Sequence, residues 1–332
     1  MVDSTLLNLD ERVEFVGSLI KTIGNFFFAD DVCPQEIASR TVNFTRDELR
    51  QLVLREVYIA ASLRREVTCS PDEDQRIKQV DFLTALQAIK PRFGVQEEAL
   101  QETMSHGYIQ TDQDLPRYEH FEGLSCQLIE GDAKSGLSTV AVQIALEGDF
   151  PYINIIKPAD LLGKDEEETC RHIENILKDA CVSPQSCVIV DDFERVLHFR
   201  AVGKRYSEKI LQTLMVLLRK QPPRGHGLLI LCTSNRRDVL EELGLLSVFT
   251  AVRHVPNLSR PDHIMAVMEA LKRFEPEEMR HIEAAMEGRN ISMGIKRLLE
   301  LITFVNPLRP DRRAAKFLEK MGEAMGWEDL RA

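Results

Sequence analysis

The stretch Cys126–Ser138, Cys-Gln-Leu-Ile-Glu-Gly-Asp-Ala-Lys-Ser-Gly-Leu-Ser, decides how the rest of the chain is interpreted. A short apolar run that ends at Ile129 predicts a buried strand, and Thr139–Leu146 is compatible with a helix. Between them lie Gly131 and Gly136, separated by four residues and followed closely by a hydroxyl residue. This spacing is the skeleton of a phosphate-binding loop, in which backbone N–H groups and the next helix N-terminus face a polyphosphate.

The loop departs from the usual pattern at one position. The lysine position holds Leu137, which cannot place a positive charge near the outer phosphates. Ser138 is the expected Mg²⁺ ligand. Lys134 could reach a phosphate, although we expect it to point to solvent. An ordinary strand, turn and helix would show the same glycines, so the motif alone leaves both interpretations open. The expected nucleotide-binding residues of the loop are Gly131, Asp132, Ala133, Lys134, Ser135, Gly136, Leu137 and Ser138.

Size and composition describe an ordinary protein with several domains. The chain has 332 residues, of which 44% are hydrophobic and 29% are charged. Its net charge of −11 argues against a general nucleic-acid binder, because surfaces that follow phosphates need clustered Lys and Arg. Seven cysteines without a C-x-x-C pair predict reduced core thiols in the cytosol. No apolar stretch is long enough for a membrane span, so membrane contact is expected only through partners.

Helical periodicity covers both ends of the chain. Residues 10–65 carry apolar positions at helical spacing, and Thr45 followed by Glu48 has the form of a capping box that opens a helix over Arg46–Ser62. Residues 92–125 lack a long periodic pattern and are expected to form a linker or an ordered connecting arm. Further helices are expected at Gln79–Ile89, Arg260–Phe274, Glu277–Gly288, Gly294–Phe304 and Arg312–Met325.

The middle of the chain alternates strands with helical stretches. After the first strand, this rhythm predicts a parallel sheet with crossover helices. A nucleotide phosphate would then lie at the carboxyl edge of the sheet, beside the glycine loop. The four further strand candidates are Tyr152–Ile156, Cys187–Val190, Leu228–Cys232 and Val252–Val255.

Two acids follow the third strand candidate. Asp191 and Asp192 there have the form of a Walker B element, in which one carboxylate holds Mg²⁺ and its neighbour polarises the attacking water. The second acid is usually Glu, and a carboxylate displaced by about 1 Å can cost about a hundredfold in rate. Glu194 is expected to point elsewhere. The alternative is that the two acids only solvate a strand end.

A polar residue after the fourth strand candidate can lie between two such acids and the outermost phosphate. Asn235 is the candidate for this sensing role. The equal alternative is a helix N-cap, because Asn favours caps. Both interpretations place Asn235 at the carboxyl edge of the sheet.

With these motifs, the sequence resembles the AAA+ ATPases and, among them, the vesicle-fusing ATPases that disassemble SNARE complexes. The resemblance implies an α/β fold with an AAA+ P-loop parallel sheet, helices on both faces and two small all-helical lid domains. Asn43–Arg50 and Asp81–Gly94 resemble the lid of the family's first ATPase module. The segments that resemble its second module are Cys187–Leu197, Gly203–Pro223, Arg237–Leu240, His254–Leu258 and Gly294–Leu299.

The resemblance implies four segments: the helical lid of a truncated first module at 1–94, a linker at 95–125, the nucleotide-binding α/β domain at 126–256 and a C-terminal helical lid at 257–332. The chain is expected to begin inside the first module's lid. The parts that in this family bind the SNAP adaptor with SNARE complexes, and that carry most ATP turnover, would then have no counterpart. What remains resembles the module that supports nucleotide-stabilised assembly of a hexamer.

The implied cofactors are ATP and Mg²⁺, and few residues transfer to this chain. Ser138 and Asp191 match the metal ligands, while Asp191 and Asp192 match the family's unusual pair of aspartates. Lys296 falls where a lid cation reaches toward the phosphates, or else on a solvated helix face. The arginines that AAA+ modules place before the last strand are absent from Leu245–Phe249.

Three functions remain open at this point. The first is an ATP-binding module that supports a homo-hexamer or co-assembly with full-length relatives in SNARE disassembly and vesicle trafficking, with slow or absent hydrolysis because Leu137 replaces the lysine. The second is an active ATPase in which Lys134 or Lys296 supplies the charge. The third is a nucleotide-free scaffold. The resemblance further implies a cytoplasmic protein, peripheral to vesicle membranes through partners, without nucleic acid or direct membrane insertion.

Overall fold

A computed structural model of the chain describes residues 6–24, 27–68, 76–89, 91–105, 107–109, 115–118, 120–203 and 205–327. Within them, five parallel strands form one sheet. The predicted α/β class with a parallel sheet is confirmed. In these residues, no helix is long and apolar enough to cross a membrane. The strands are β1 Gly123–Gly131, β2 Tyr152–Ile156, β3 Gln185–Val190, β4 Gly227–Ser234 and β5 Ala251–Val255, in the spatial order β2-β3-β4-β1-β5.

Helices lie before the sheet in sequence, connect its strands and follow its last strand. The bounds of several helices differ from those predicted. The helix that begins at Arg46 continues past the predicted Ser62, through a π-helical segment at Leu52–Glu56. The helices are α1 Leu9–Ile23, α2 Pro34–Arg40, α3 Arg46–Gln51, α4 Val57–Thr68, α5 Gln79–Ala88, α6 Glu97–Thr103, α7 Leu137–Glu147, α8 Glu166–Ala180, α9 Phe193–Val196, α10 Glu208–Leu217, α11 Arg237–Glu242, α12 Pro261–Leu271, α13 Pro276–Met286, α14 Ile295–Val305 and α15 Pro310–Met325.

Both faces of the sheet are covered, because successive side chains of a strand point to opposite faces. On β4, Leu228 and Ile230 pack into a cluster with α8 and α10, while Leu229 and Leu231 pack into a second cluster with α7. Every residue of β4 is buried. The unbroken apolar runs read from the sequence therefore belong to strands buried on two sides.

The segment before β1 is an ordered arm over much of its length. It contains α6, and Val95 forms a parallel bridge with Ile153. Leu100, Tyr118 and Phe121 pack into the apolar cluster on the α7 side of the sheet. Of the two expectations for this segment, the arm describes it better than a loose linker. The arm therefore covers the same face of the sheet as α7, the helix that follows the glycine loop.

The helices at the two ends have their own cores. Before the arm, α1 to α5 enclose one apolar cluster. The predicted capping box is present there: Glu48 N–H donates to Thr45 Oγ1 (3.3 Å), and Thr45 N–H donates to Glu48 Oε2 (2.7 Å). After β5, α12 to α15 enclose another cluster around Phe317 and Ile282. The start of α14 at Ile295 brings this last unit against the glycine loop.

The described cysteines are free thiols, as the sequence predicts. Cys126, Cys187 and Cys232 are at most 1% exposed. Burial raises the pKa of the Cys187 thiol well above its usual range, which keeps it protonated and unreactive. Cys69 lies outside the described residues.

Candidate functional site

The glycine loop has a geometry that only small residues permit. At the end of β1, a Cβ on Gly131 would lie 2.5 Å from the carbonyl oxygen of Val255. The turn closes where Ser135 N–H donates to the Asp132 carbonyl (3.1 Å), and Gly136 then takes a φ of +96° before α7 begins. The first N–H groups of α7 have no partner within the helix and can bind an anion.

A cavity of about 400 Å³ lies between the loop, the arm and α14. Its apolar lining comes mostly from the arm, the end of β5 and α14, and its polar lining includes the glycine loop and the start of α7. Such a mixed lining suits a ligand with both a charged group and a ring. The polar lining residues are Glu102, Thr103, Ser105, Ser135, Ser138, Thr139, Lys157, Asp191 and Lys296, together with the backbone of Gly136. The apolar lining includes Tyr108, Ile109, Leu115, Val255, Pro256, Leu258, Ile295 and Leu299.

Ser135 gives direct support for a polar ligand. Its side chain is 4% exposed, and its Oγ is buried without a hydrogen-bond partner among the described residues. An unmade buried hydrogen bond costs about 1–3 kcal/mol. Because Ser135 also lines the cavity beside the α7 N-terminus, a phosphate oxygen there would satisfy it. The residues present therefore fit a polyphosphate group.

The two acids after β3 face different surroundings. Asp191 lines the cavity and accepts a hydrogen bond from Thr233 Oγ1 (2.7 Å). Asp192 takes a φ of +49°, starts α9 and is not among the lining residues. Burial and the neighbouring Asp191 charge raise the pKa of the Asp192 carboxyl, and Arg195 lies 3.8 Å from it. Of the two predicted catalytic acids, the structure brings only Asp191 to the cavity.

Glu194 and Asn235 lie away from the cavity lining. Glu194 is 5% exposed and accepts a hydrogen bond from Ser234 Oγ (2.7 Å); burial raises its carboxyl pKa. Asn235 neither lines the cavity nor caps a helix, since Arg236 occupies the N-cap of α11. The residue against the acids is Thr233, which our sequence interpretation missed. The apolar run of β4 ends at Cys232, and Thr233 is the first polar residue after it, which is the signal that could have identified it.

Thr233 links the two acids, and its loss should be measurable. It is fully buried, donates to Asp191 and accepts the Asp192 N–H (2.9 Å). We expect Thr233→Val, which keeps the shape, to lower the free energy of unfolding by about 1–3 kcal/mol, because the half-buried Asp191 and Asp192 each lose a hydrogen bond and one of these bonds is charge-assisted. Urea denaturation measures this. Thr84→Val, at an exposed position, is the control, and an equal change in both variants would contradict the prediction.

The loop side chains point in several directions. Leu137 is 8% exposed and packs in the apolar cluster beneath the loop. Lys134 Nζ donates to Glu300 Oε2 of α14 (2.6 Å), and this hydrogen bond lowers the pKa of the Glu300 carboxyl. Asp132 accepts from Asn257 Nδ2 (2.7 Å). Of the predicted loop residues, Ser135, Gly136 and Ser138 line the cavity and the other five do not: Gly131, Asp132, Ala133, Lys134 and Leu137. Lys296 of α14 lines it as predicted.

The fold and this cavity define a class of protein. A family model described as "ATPase family associated with various cellular activities (AAA)" matches residues 128–257, from within β1 to two residues past β5. The chain belongs to the AAA+ ATPases. This agrees with the parallel sheet, the glycine loop and the acid at the end of β3.

The closing helices and curated relatives identify the branch. A family model described as "NSF, AAA+ ATPase lid domain" matches residues 257–324. The vesicle-fusing ATPase of Arabidopsis thaliana is 32% identical, over 84% of this chain and 39% of the relative. The vesicle-fusing ATPase of Caenorhabditis elegans is 31% identical, over 86% of this chain and 38% of the relative. The vesicular-fusion protein SEC18 of Candida albicans is 29% identical, over 85% of this chain and 38% of the relative.

The chain is therefore similar to the vesicle-fusing ATPases over most of its length, as the sequence motifs predicted. The chain spans less than two fifths of the length of these relatives. The activity and partners of a complete vesicle-fusing ATPase are therefore separate questions for this chain.

Proposed function

We propose that this chain is an ATP-binding AAA+ module of the vesicle-fusing type. The observation that carries the proposal is the arrangement of the cavity. The α7 N-terminus and the unpartnered Ser135 hydroxyl lie at the glycine loop, where phosphates would bind. Apolar residues of the arm and of α14, such as Ile109 and Leu299, would contact the adenine ring. Ser138 and Asp191 would hold Mg²⁺, which would neutralise phosphate charge.

Hydrolysis is proposed to be slow or absent, for three reasons on this chain. Leu137 supplies no charge, and a charge-assisted contact is worth about 1.5–3 kcal/mol, or about ten- to a hundredfold in affinity. Asp192, the second acid of the pair, does not line the cavity, so it is not placed to polarise a water there. Leu245–Phe249 offers no arginine for a neighbouring module, and such an arginine is worth about 10³ or more in turnover.

The biological role follows from kinship. The curated relatives are named for vesicle fusion, and the module resembles the one that supports hexamer assembly. We assign the chain to vesicle trafficking, where a homo-hexamer or a mixed assembly with full-length relatives would act in SNARE disassembly. SNAP adaptors and SNARE complexes would be reached only through that assembly, in the cytoplasm at the vesicle surface.

Calorimetric titration with Mg-ATP tests the binding proposal. We expect weak binding by the wild type and about ten- to a hundredfold tighter binding by Leu137→Lys, because the buried stem can carry an ammonium toward the phosphates. Leu146→Lys is the matched control: it lies on the same helix, is 45% exposed and should bind ATP as the wild type does. Absence of binding in both the wild type and Leu137→Lys removes the proposal.

Two other functions correspond to other outcomes. A nucleotide-free scaffold would show no ATP binding, and its elution in size-exclusion chromatography with a full-length relative would not change with ATP. An active ATPase would release phosphate steadily in the purified wild type. The structure speaks against Lys134 as the missing cation, since Lys134 does not line the cavity and its ammonium pairs with Glu300 of the lid instead.

A further inference from the structure

Lys157 is a cation in the wall of the cavity that the sequence motifs did not single out. It directly follows β2, and its side chain is 15% exposed. It lines the same cavity as Ser138 and Asp191. The parallel register pairs Ile156 with Val190, and Asp191 N–H donates to the Ile156 carbonyl (3.0 Å). Lys157 therefore directly follows the residue whose carbonyl accepts a hydrogen bond from Asp191, the proposed metal ligand, and both residues line the cavity from neighbouring strands.

The ammonium of Lys157 is held but not saturated. Nζ donates to Glu102 Oε2 of α6 (2.7 Å) and to the Ala99 carbonyl (2.9 Å). An ammonium group has three donors, so one remains beyond these two partners in the described residues. Glu102 also lines the cavity, and its side chain is 78% exposed, so solvent or a ligand can compete for the ion pair. The Lys157 hydrogen bond lowers the pKa of the Glu102 carboxyl, which keeps the pair ionised at neutral pH.

We propose that Lys157 supplies part of the positive charge that the glycine loop lacks, by donating to the outermost phosphate of a bound nucleoside triphosphate. Glu102 then acts as its counter-ion when no nucleotide is bound. This inference rests on the proposed ATP binding and adds to it a group that partly compensates for the missing loop lysine. Lys296 faces the same cavity from α14, on the lid side, whereas Lys157 lies on the sheet side next to Asp191.

Calorimetry with Mg-ATP and Mg-ADP on the full chain tests the assignment. We expect Lys157→Met, which keeps the aliphatic stem, to weaken ATP binding by about 10- to 100-fold and ADP binding much less. Lys157→Arg should restore most of the affinity because it restores the charge. Lys178→Met is the matched control, since Lys178 Nζ forms an exposed ion pair with Glu174 Oε1 on α8 (2.9 Å). This variant should bind both nucleotides as the wild type does.

Glu102→Gln separates this role from a structural one. The amide oxygen can still accept from Lys157, so the arm stays anchored, but the competing charge is gone. We expect ATP to bind about three- to fivefold more tightly, as expected for removing one charge at close range in a wet site. If Lys157 only anchors α6, Glu102→Gln will not tighten binding, and Lys157→Met will weaken ATP and ADP equally.

The outcomes distinguish this inference from the function on which it rests. A wild type that binds ATP, with unchanged affinity in Lys157→Met, overturns the Lys157 assignment and leaves ATP binding in place. A wild type that binds neither nucleotide overturns both. Circular dichroism and melting temperature identify any variant that fails to fold. If Lys157→Met fails to fold, Glu102→Gln decides the assignment: tighter ATP binding supports it, and unchanged or weaker ATP binding overturns it.

Discussion

Replacing Glu278 with alanine is expected to lower the local free energy of unfolding of the C-terminal helices by about 3–5 kcal/mol, because it leaves a buried charge without its partner. Glu278 of α13 is 7% exposed, and the side chain of Arg313 on α15 is 11% exposed. Arg313 Nε donates to Glu278 Oε1 (2.9 Å), and Arg313 Nη2 donates to Glu278 Oε2. The guanidinium also lies 5.1 Å from the centre of the Phe274 ring.

Hydrogen exchange measures this effect better than a single melting curve, because a chain with several cores need not unfold in one step. In Glu278→Ala, amides of α13 and α15 should lose protection, while those of α1, in another core, should not change. The double variant Glu278→Leu with Arg313→Leu should recover most of the stability, since apolar replacement of both partners is tolerated. A single variant that costs less than about 1 kcal/mol would show that the pair behaves as an exposed one.

The C-terminal core also supports one wall of the cavity through α14, so its stability bears on function. Ile295, Lys296 and Leu299 of α14 line the cavity, and α14 packs on α15 in the shared core. Loosening α13 and α15 should therefore loosen the cover of the site as well. We expect Glu278→Ala to bind ATP more weakly than the wild type at temperatures where its C-terminal helices begin to open.

Much of the fold could be predicted because parallel strands leave a simple signal. Cys187–Val190 is an apolar run with acids at its end, and a strand buried on both faces requires such a run. The candidate phosphate loop could also be found, because its glycines lie between a predicted strand and a predicted helix. Gly136 adopts a positive φ there, a conformation that favours glycine. These features are local in sequence, so periodicity and turn chemistry are sufficient to find them.

The details of the site depend on register and on contacts between distant segments. Strand β4 continues to Ser234, and Cys232 pairs with Val190, so Thr233 rather than Asn235 lies level with Asp191. Asp192 does not line the cavity, and it takes a left-handed conformation at the N-cap of α9 that the sequence does not indicate. The pairing of Lys157 with Glu102 joins residues 55 positions apart. The order of the strands and the path of the arm determine these contacts, and neither can be predicted from local sequence patterns.

The contact between the glycine loop and α14 gives the last prediction. Lys296 N–H donates to the Lys134 carbonyl (3.0 Å), and Gly294 lies directly against the loop backbone. A Cβ at Gly294 would lie 2.5 Å from the Lys134 oxygen and 2.9 Å from the Ser135 nitrogen. Both neighbours are backbone atoms, so they cannot swing aside as a side chain would. Gly294→Ala must therefore displace either the loop or the start of α14.

We expect Gly294→Ala to weaken ATP binding by about 100-fold, because a shift of the loop weakens several charge-assisted hydrogen bonds at once. Calorimetry alongside the wild type measures the loss. Gly17→Ala is the matched control: a Cβ there meets nothing within 4 Å, and alanine suits the interior of α1. Unchanged affinity in a folded Gly294→Ala protein would mean that the loop keeps its phosphate-binding shape without α14. The lid would then close the cavity without shaping the loop.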